Sequence, residues 1–134
     1  MRVEGISIGD RKAYLLIDTN GLPVEPVAKY MKHLYNKEMS SNTLQTYCTA
    51  LKFYFTYLEQ TEIDYQQVRF ETLSNFVAWL RNPHESNKVI PHKTETAKRR
   101  ESTVNNYLTV VTAFYDYLYR NDLVDTDMVE KLMK

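Results

Sequence analysis

The stretch TVNNYLTVVTAFYDYL, residues 103–118, decides the fold that the sequence predicts, because its apolar residues recur at the spacing of one helix face. Sliding the chain by sixty residues places TLQTYCTALKFYFTYL, residues 43–58, over this stretch, and the two apolar stripes stay in phase. Thr, Tyr, Thr, Tyr and Leu are identical, at 43, 47, 49, 57 and 58. We therefore predict two similar long helices packed in one bundle, as a weak internal repeat of helical hairpins.

Shorter elements are predicted before and between these two helices. Pro26 is expected in the first turn of a helix that ends near Asn36. Apolar periodicity predicts a further helix over residues 71–81. Near the start of the chain, apolar runs on either side of Gly9-Asp10 predict a β-hairpin with a tight turn.

The polar segments suggest how the chain is organised. Residues 83–100 contain two prolines and no apolar period, so we expect a long loop there. A short last helix is expected from about Thr126, without a stop signal. We predict a hairpin and lead-in over 1–22, a helical domain over 23–125 and the start of a linker over 126–134.

Charge is balanced overall but uneven along the chain. The 134 residues carry 17 basic and 17 acidic side chains, so net charge does not indicate a nucleic-acid partner. Residues 88–100 hold five cations against one acid, whereas residues 122–130 hold four acids and no Lys or Arg. We expect an electrically polar molecule.

Composition and spacing argue against several classes of protein. The single cysteine, Cys48, excludes an internal disulfide and has no histidine near it in sequence, and the three histidines are far apart. No apolar run approaches the roughly 18 residues of a membrane span. The three glycines form no phosphate-binding loop. We expect a cytoplasmic protein with no catalytic residues, cofactor, metal, membrane segment or small-molecule substrate.

Three cations precede the later long helix, which is expected to run from Ser102 to about Asn121. With Ser102 or Thr103 as the cap, these cations stand at the positive end of the helix dipole, where anions are favoured. One interpretation is a solvated loop whose charge Glu101 partly offsets. The other is an anion site, in which free backbone N–H groups and the two hydroxyls join the cations. The cations are Lys98, Arg99 and Arg100.

The earlier long helix begins with a similar set of short polar side chains. Ser40, Ser41 or Asn42 is expected to cap it, and such hydroxyl and amide groups contact phosphate oxygens without reading sequence. The alternative is that helix starts collect Ser, Thr and Asn in any protein. One turn into the later helix, Asn105 and Asn106 could read adenine edges in a major groove or simply face solvent. The other candidates on the earlier helix are Ser41, Thr43, Thr46 and, off its core stripe, Lys52.

The aromatic residues divide into two groups by their position on the helices. Most of the eleven tyrosines fall on the apolar stripes and are expected in the core. A second group lies beside or opposite the stripe, which indicates that the long helices are covered on two sides or offer a surface to a partner. The core group includes Tyr47, Tyr54, Tyr107 and Tyr115, and the second group is Phe53, Tyr57 and Tyr117.

Three stretches together resemble a known family. MSSNTLQTYCTALKFYFTYLEQ, LSNFVAWLRN and RRESTVNNYLTVVTAFYDYLYRNDLVD are similar to the N-terminal core-binding domain of tyrosine recombinases, the phage-integrase and transposase group. The preceding AYLLIDTNGLPVEPVAKYMKHLY resembles the lead-in of transposon-borne members. The resemblance implies a mainly α, SAM-like bundle of about four to five helices, here preceded by the short β-hairpin.

The resemblance also implies a function. In that family this domain forms half of a C-shaped clamp around the recombination site, while a separate C-terminal domain cuts DNA with a tyrosine nucleophile. No His-x-x-Arg motif occurs here, so this chain is expected to bind DNA without cutting it. The implied partners are double-stranded DNA and other recombinase protomers. The expected DNA contacts are Ser41, Thr43, Thr46, Lys52, Lys98, Arg99, Arg100, Ser102, Thr103, Asn105 and Asn106.

A second hypothesis comes from a different class of function. The chain could be a helical protein-interaction module that does not bind DNA and uses Phe53, Tyr57 and Tyr117 as an apolar partner surface.

Overall fold

A computed structural model describes residues 1–82 and 100–124 of the chain. Within these residues the fold is mainly α, with four α-helices after an N-terminal β-hairpin, as the sequence predicts. A short 3-10 helix at Tyr65–Gln67 was not predicted. The predicted last helix and most of the predicted loop lie outside the described residues. The elements are β1 (Arg2–Ile8), β2 (Arg11–Ile17), α1 (Glu25–Asn36), α2 (Ser41–Thr61), α3 (Phe70–Arg81) and α4 (Glu101–Arg120).

The chain forms two compact units, Met1–Thr56 and Tyr57–Lys134. The first unit contains the hairpin, α1 and most of α2. The second contains the end of α2, the 3-10 helix, α3 and α4. The segment boundaries proposed after residues 22 and 125 stay predictions.

The hairpin of the first unit packs against α1. Its strands are antiparallel and close at the pair Ile8 and Arg11, and Gly9 adopts a positive φ of 66° in the turn between them. The Arg11 guanidinium lies 3.8 Å from the centroid of the Tyr35 ring and donates a hydrogen bond of 2.9 Å to the Tyr35 carbonyl. One face of β2 buries Tyr14 and Leu16. These contacts fix the hairpin on the helical part of its unit.

The predicted apolar face of α1 is buried. Pro26 stands in the first turn of α1, where its missing N–H costs nothing. The buried residues follow the i, i+3, i+4, i+7 pattern of an amphipathic helix and are Val27, Tyr30, Met31 and Leu34.

The second unit is built on the packing of α3 against α4. Tyr57 at the end of α2 joins this core, and its ring centroid lies 5.6 Å from that of Phe76 and 5.4 Å from that of Trp79. The 3-10 helix is attached to α4, because the Tyr115 hydroxyl donates a 2.9 Å hydrogen bond to the Tyr65 carbonyl. On α4 the buried stripe comprises Val104, Val110, Val111, Phe114, Tyr115 and Leu118.

The expectation for the stripe tyrosines holds for two of the four. Tyr54 and Tyr115 are fully buried, with 0% and 1% of their surface exposed. Tyr47 and Tyr107 are half-buried, and they occupy equivalent positions of the sixty-residue repeat. Leu44 and Val104, in the early turns of the same helices, are fully buried, so the partial exposure belongs to the two tyrosines and not to these turns as a whole.

Both long helices end in the same way. A residue with positive φ follows each helix end: Glu62, at 57°, comes directly after α2, and Asp122, at 59°, is the second residue after α4. The next amide turns back, so that Ile63 donates to the Leu58 carbonyl at 3.0 Å and Leu123 donates to the Leu118 carbonyl at 2.8 Å. This is the Schellman motif, in which glycine is the usual residue at positive φ.

Candidate nucleic-acid interface

The start of α2 is fixed by its own sequence. The Ser40 hydroxyl oxygen accepts a 3.1 Å hydrogen bond from the Thr43 backbone N–H and donates a 3.0 Å hydrogen bond to the Thr43 hydroxyl. Ser40 is thus the cap among the three candidates, and the cap leaves the first N–H groups of the helix, at Ser41 and Asn42, without carbonyl partners inside it.

The first turns of α2 present an uncharged polar surface, which we call the α2 start. Its first turn contains no acidic residue to balance the positive end of the dipole. Hydroxyl and amide groups at this end can accept or donate hydrogen bonds to a ligand. The α2 start comprises Ser41, Asn42, Thr43, Gln45 and Thr46, of which Thr43 is half-buried and the others are exposed.

Lys52 does not belong to the α2 start. It stands eleven residues beyond Ser41, or about 16 Å along the helix axis. Its ammonium lies 4.7 Å from the centroid of the Phe53 ring in a cation–π arrangement, and the side chain is half-buried. A contact from Lys52 would therefore be separate from those of the first turns.

The start of α4 differs from the prediction by one or two residues. Arg100, rather than Ser102 or Thr103, is the N-cap, and no side chain caps the helix by hydrogen bonding. The Arg100 carbonyl accepts hydrogen bonds of 3.0 Å from the N–H groups of Thr103 and of Val104, so the helical ladder already begins there. Ser102 and Thr103 lie inside the first turn.

Glu101, the first residue of α4, is held by a residue that the sequence did not single out. The Arg81 Nε donates to Glu101 Oε2 at 2.8 Å, and Arg81 Nη2 donates to Glu101 Oε1 at 3.1 Å. Two parallel bonds of this kind are the strong geometry for an arginine and a carboxylate. The two residues are twenty positions apart in sequence, and no local pattern connects them.

The exposed face that follows is again uncharged. Ser102, Asn105 and Asn106 are exposed, and Thr103 is half-buried. One turn further on, the Thr109 hydroxyl donates to the Asn105 carbonyl at 2.9 Å, which occupies that donor. With Arg100, which is exposed, Ser102, Thr103, Asn105 and Asn106 form the α4 start.

Nine of the eleven residues predicted to contact DNA lie in the described part of the chain. The structure groups Ser41, Thr43 and Thr46 in the first unit, and Arg100, Ser102, Thr103, Asn105 and Asn106 in the second. Lys52 is described but stands apart along α2. Lys98 and Arg99 lie outside the described residues.

The aromatic residues of the second hypothesis do not share one open surface. Only 7% of Tyr57 is exposed, because its ring contacts Phe76 and Trp79, and burial raises the pKa of its hydroxyl. Phe53 and Tyr117 are half-buried. The burial of Tyr57 supports the interpretation that α2 is covered on two sides, rather than the one in which Tyr57 belongs to an open partner surface.

The one cysteine of the chain does not reach solvent. Cys48 is fully buried, and burial, opposed by the nearby charge of Lys52, raises the pKa of its thiol to about 12, which leaves a poor nucleophile. Within residues 1–82 and 100–124, no three His, Cys, Asp or Glu side chains are placed to hold a metal ion. In the same ranges, no helix is long and apolar enough to cross a membrane.

The comparison with known proteins identifies the class of this domain. The family model described as "Phage integrase, N-terminal SAM-like domain" matches residues 27–122, which run from α1 to the end of α4. The chain belongs to this family. The predicted resemblance is thereby confirmed for most of the chain.

Individual relatives agree with this membership. Transposase A from transposon Tn554 of Staphylococcus aureus is 41% identical over 122 residues, which cover 90% of this chain and 34% of that protein. Tyrosine recombinase XerC of Leptospira interrogans is 28% identical over 109 residues, covering 81% of this chain and 31% of that protein. The chain thus spans about a third of the length of the curated relatives that it matches. No solved structure matches it.

Proposed function

We propose that this chain is the DNA-binding, core-binding domain of a site-specific tyrosine recombinase and grips recombination-site DNA as one half of a clamp. The observation that carries the proposal is the pair of helix starts, each exposing uncharged hydroxyl and amide groups at the positive end of a long helix. Membership of the integrase family and the likeness to a transposase and a recombinase support it.

The α2 start and the α4 start suit phosphate contacts in two ways. Each has backbone N–H groups that no carbonyl of its own helix can satisfy, and anions are favoured at that end of the dipole. Arg100 adds a guanidinium to the α4 start. With net charge zero, the chain would make few phosphate contacts, so binding would be weak and strongly dependent on salt.

The amide side chains of the α4 start add a possible source of sequence preference. Asparagine can hydrogen-bond the N6 and N7 edge of adenine in a major groove. Asn105 and Asn106 are both exposed one turn inside α4. The proposal assigns them base contacts, while the hydroxyls and Arg100 hold the backbone.

DNA cutting and assembly would depend on parts of the recombinase outside this domain. The matched region corresponds to the N-terminal domain alone, so DNA cutting would be carried out by another domain of the whole protein. Other protomers would join it on cytoplasmic DNA during integration or transposition.

A titration of amide chemical shifts with a short duplex, at low and at high salt, tests the proposal. We expect salt-sensitive shifts at residues 41–46 and 100–106. Replacing Arg100 by Ala should weaken binding to unrelated duplexes equally and reduce the slope of log affinity against log salt by about 0.9. The matched control is Arg120→Ala, twenty residues further along at the end of the same helix and about 30 Å away, which should bind as the unmodified chain does.

Two results would contradict the proposal. The first is a titration at low salt in which neither helix start shifts. The second is equal loss of binding in the Arg100 and Arg120 variants, since that would indicate a diffuse charge effect. Self-association by sedimentation that Phe53→Ser abolishes, without any DNA binding, would favour the protein-interaction module instead.

A further inference from the structure

The first turn of α4 lacks the local device that fixes the first turn of α2. No side chain caps it, whereas the Ser40 hydroxyl caps α2 at 3.1 Å. An uncapped first turn frays readily, because its N–H groups lose little when they open to water. The groups assigned to DNA at the α4 start all belong to this turn or the next.

The contact with Arg81 supplies a tertiary substitute for the missing cap. Arg81 is the last residue of α3, and the residue before it, Leu80, is fully buried. Its guanidinium binds both carboxylate oxygens of Glu101, the first residue of α4. The pair therefore ties the uncapped turn to a helix that is anchored in the core of the same unit.

We propose that Arg81 and Glu101 are positioning residues, which hold the α4 start in the geometry that its DNA contacts require. This inference rests on the proposed function. Glu101 also places a negative charge at the positive end of the helix dipole, which favours the helical conformation of this turn. Because Arg81 neutralises that charge, the carboxylate costs the surface little of its attraction for phosphate.

The positioning role predicts an effect opposite in sign to that of simple charge. Replacing Glu101 by Gln removes a negative charge and releases Arg81, so electrostatics alone predicts tighter DNA binding. If the pair positions the turn, the same variant should bind about fivefold more weakly, which corresponds to losing a well-formed ion pair and first-turn order. The direction of the change therefore separates the two explanations.

The experiment measures two quantities on Glu101→Gln and on a matched control. The control is Asp116→Asn, which removes an equally short 2.8 Å ion pair, to Arg120, at the other end of α4. In the free protein, hydrogen exchange of the Thr103 and Val104 amides should become faster in Glu101→Gln and stay unchanged in Asp116→Asn. Duplex affinity at low salt should fall about fivefold only in Glu101→Gln.

The outcomes are distinct for the inference and for the proposed function. Unchanged exchange, or affinity of Glu101→Gln equal to or above that of the unmodified chain, would overturn the positioning role while leaving DNA binding in place. If the unmodified chain binds no duplex at all, the proposed function fails and the role in positioning DNA contacts fails with it. The exchange measurement would then still decide whether the pair orders the turn.

Discussion

The starts of α2 and α4 are related by the internal repeat, yet they are held in different ways. Ser40 caps α2 through a hydrogen bond to the backbone of Thr43, three residues later, so this cap needs no residue outside the helix. At α4 the carbonyl of Arg100 begins the ladder without a side-chain cap, and Arg81 binds Glu101 from twenty residues away. Similar sequences can thus reach the same helical conformation by a local device in one copy and a tertiary one in the other.

The ends of the two helices show the opposite behaviour. Glu62 and Asp122 occupy the same Schellman position, and Ile63 and Leu123 follow them in the same role. The two long helices therefore stop in the same way although they start differently, and α1 shares this type of end at Glu38.

The largest effect on the free energy of unfolding is expected at Cys48 of α2, whose equivalent position in α4 is Leu108. Burial raises the pKa of Cys48 from its ordinary 9.0 to about 12. Between these values the unfolded chain releases a proton that the native chain keeps, so the free energy of unfolding falls as pH rises. One pH unit above the ordinary pKa, we expect a loss of about 1.4 kcal/mol. Urea denaturation followed by circular dichroism at neutral and alkaline pH measures it.

The control for this prediction is Cys48→Ala. The variant should be less stable at neutral pH, because it leaves a small cavity, but its stability should stay flat between the ordinary pKa of a thiol, 9.0, and that of a tyrosine, 10.0, where the unmodified chain already declines. Burial also raises the pKa of Tyr57, so both proteins should decline at still higher pH. An equal slope in both proteins just above the ordinary thiol pKa would show that Cys48 is not responsible.

A smaller effect is expected from the two ways of fixing a helix start. Ser40→Ala should lower the free energy of unfolding by about 1 kcal/mol, and by the same amount at low and high salt, because the lost hydrogen bond is neutral. The stability change of Glu101→Gln should be under about 1 kcal/mol and should shrink with salt, since an exposed ion pair is screened. Denaturation of both variants at two salt concentrations checks this difference, and equal salt dependence would contradict it.

The smallest effect is expected at the helix ends, where the two copies agree. Glycine at position 62 or 122 would relieve the left-handed conformation and remove an acid from the negative end of the helix dipole. We expect Glu62→Gly and Asp122→Gly each to raise the free energy of unfolding by about 0.5–1 kcal/mol. Glu59→Gly, inside α2, is the matched control and should be destabilising. A loss of stability in the first two variants would mean that contacts of the Glu62 and Asp122 side chains stabilise the fold by more than the positive φ destabilises it.

Much of the fold could be predicted from short-range patterns. The hairpin turn at Gly9-Asp10, the proline in the first turn of α1 and the apolar stripe of α4 each depend on residues within a few positions of one another. The candidate cap at Ser40 belongs to the same category. The prediction of the α4 cap was wrong: Arg100 is the N-cap, although Ser102 and Thr103 are the better intrinsic caps.

The candidate site shows the same division. Short hydroxyl and amide residues identified both helix starts, whereas the sequence did not show that Lys52 stands about 16 Å along the axis from Ser41, beside the Phe53 ring; its contact with DNA stays a prediction. No sequence signal pointed to Arg81. Its partner is reached only when α3 and α4 pack together.

The sequence by itself determined the helical class, the two repeated helices and the polar residues that each presents at its start, because periodicity and capping act within a few turns. Only the tertiary structure decided that Tyr57 is buried against Phe76 and Trp79, and that Arg81 holds Glu101. These contacts join residues about twenty positions apart. They form only when the burial of apolar side chains brings separate helices together.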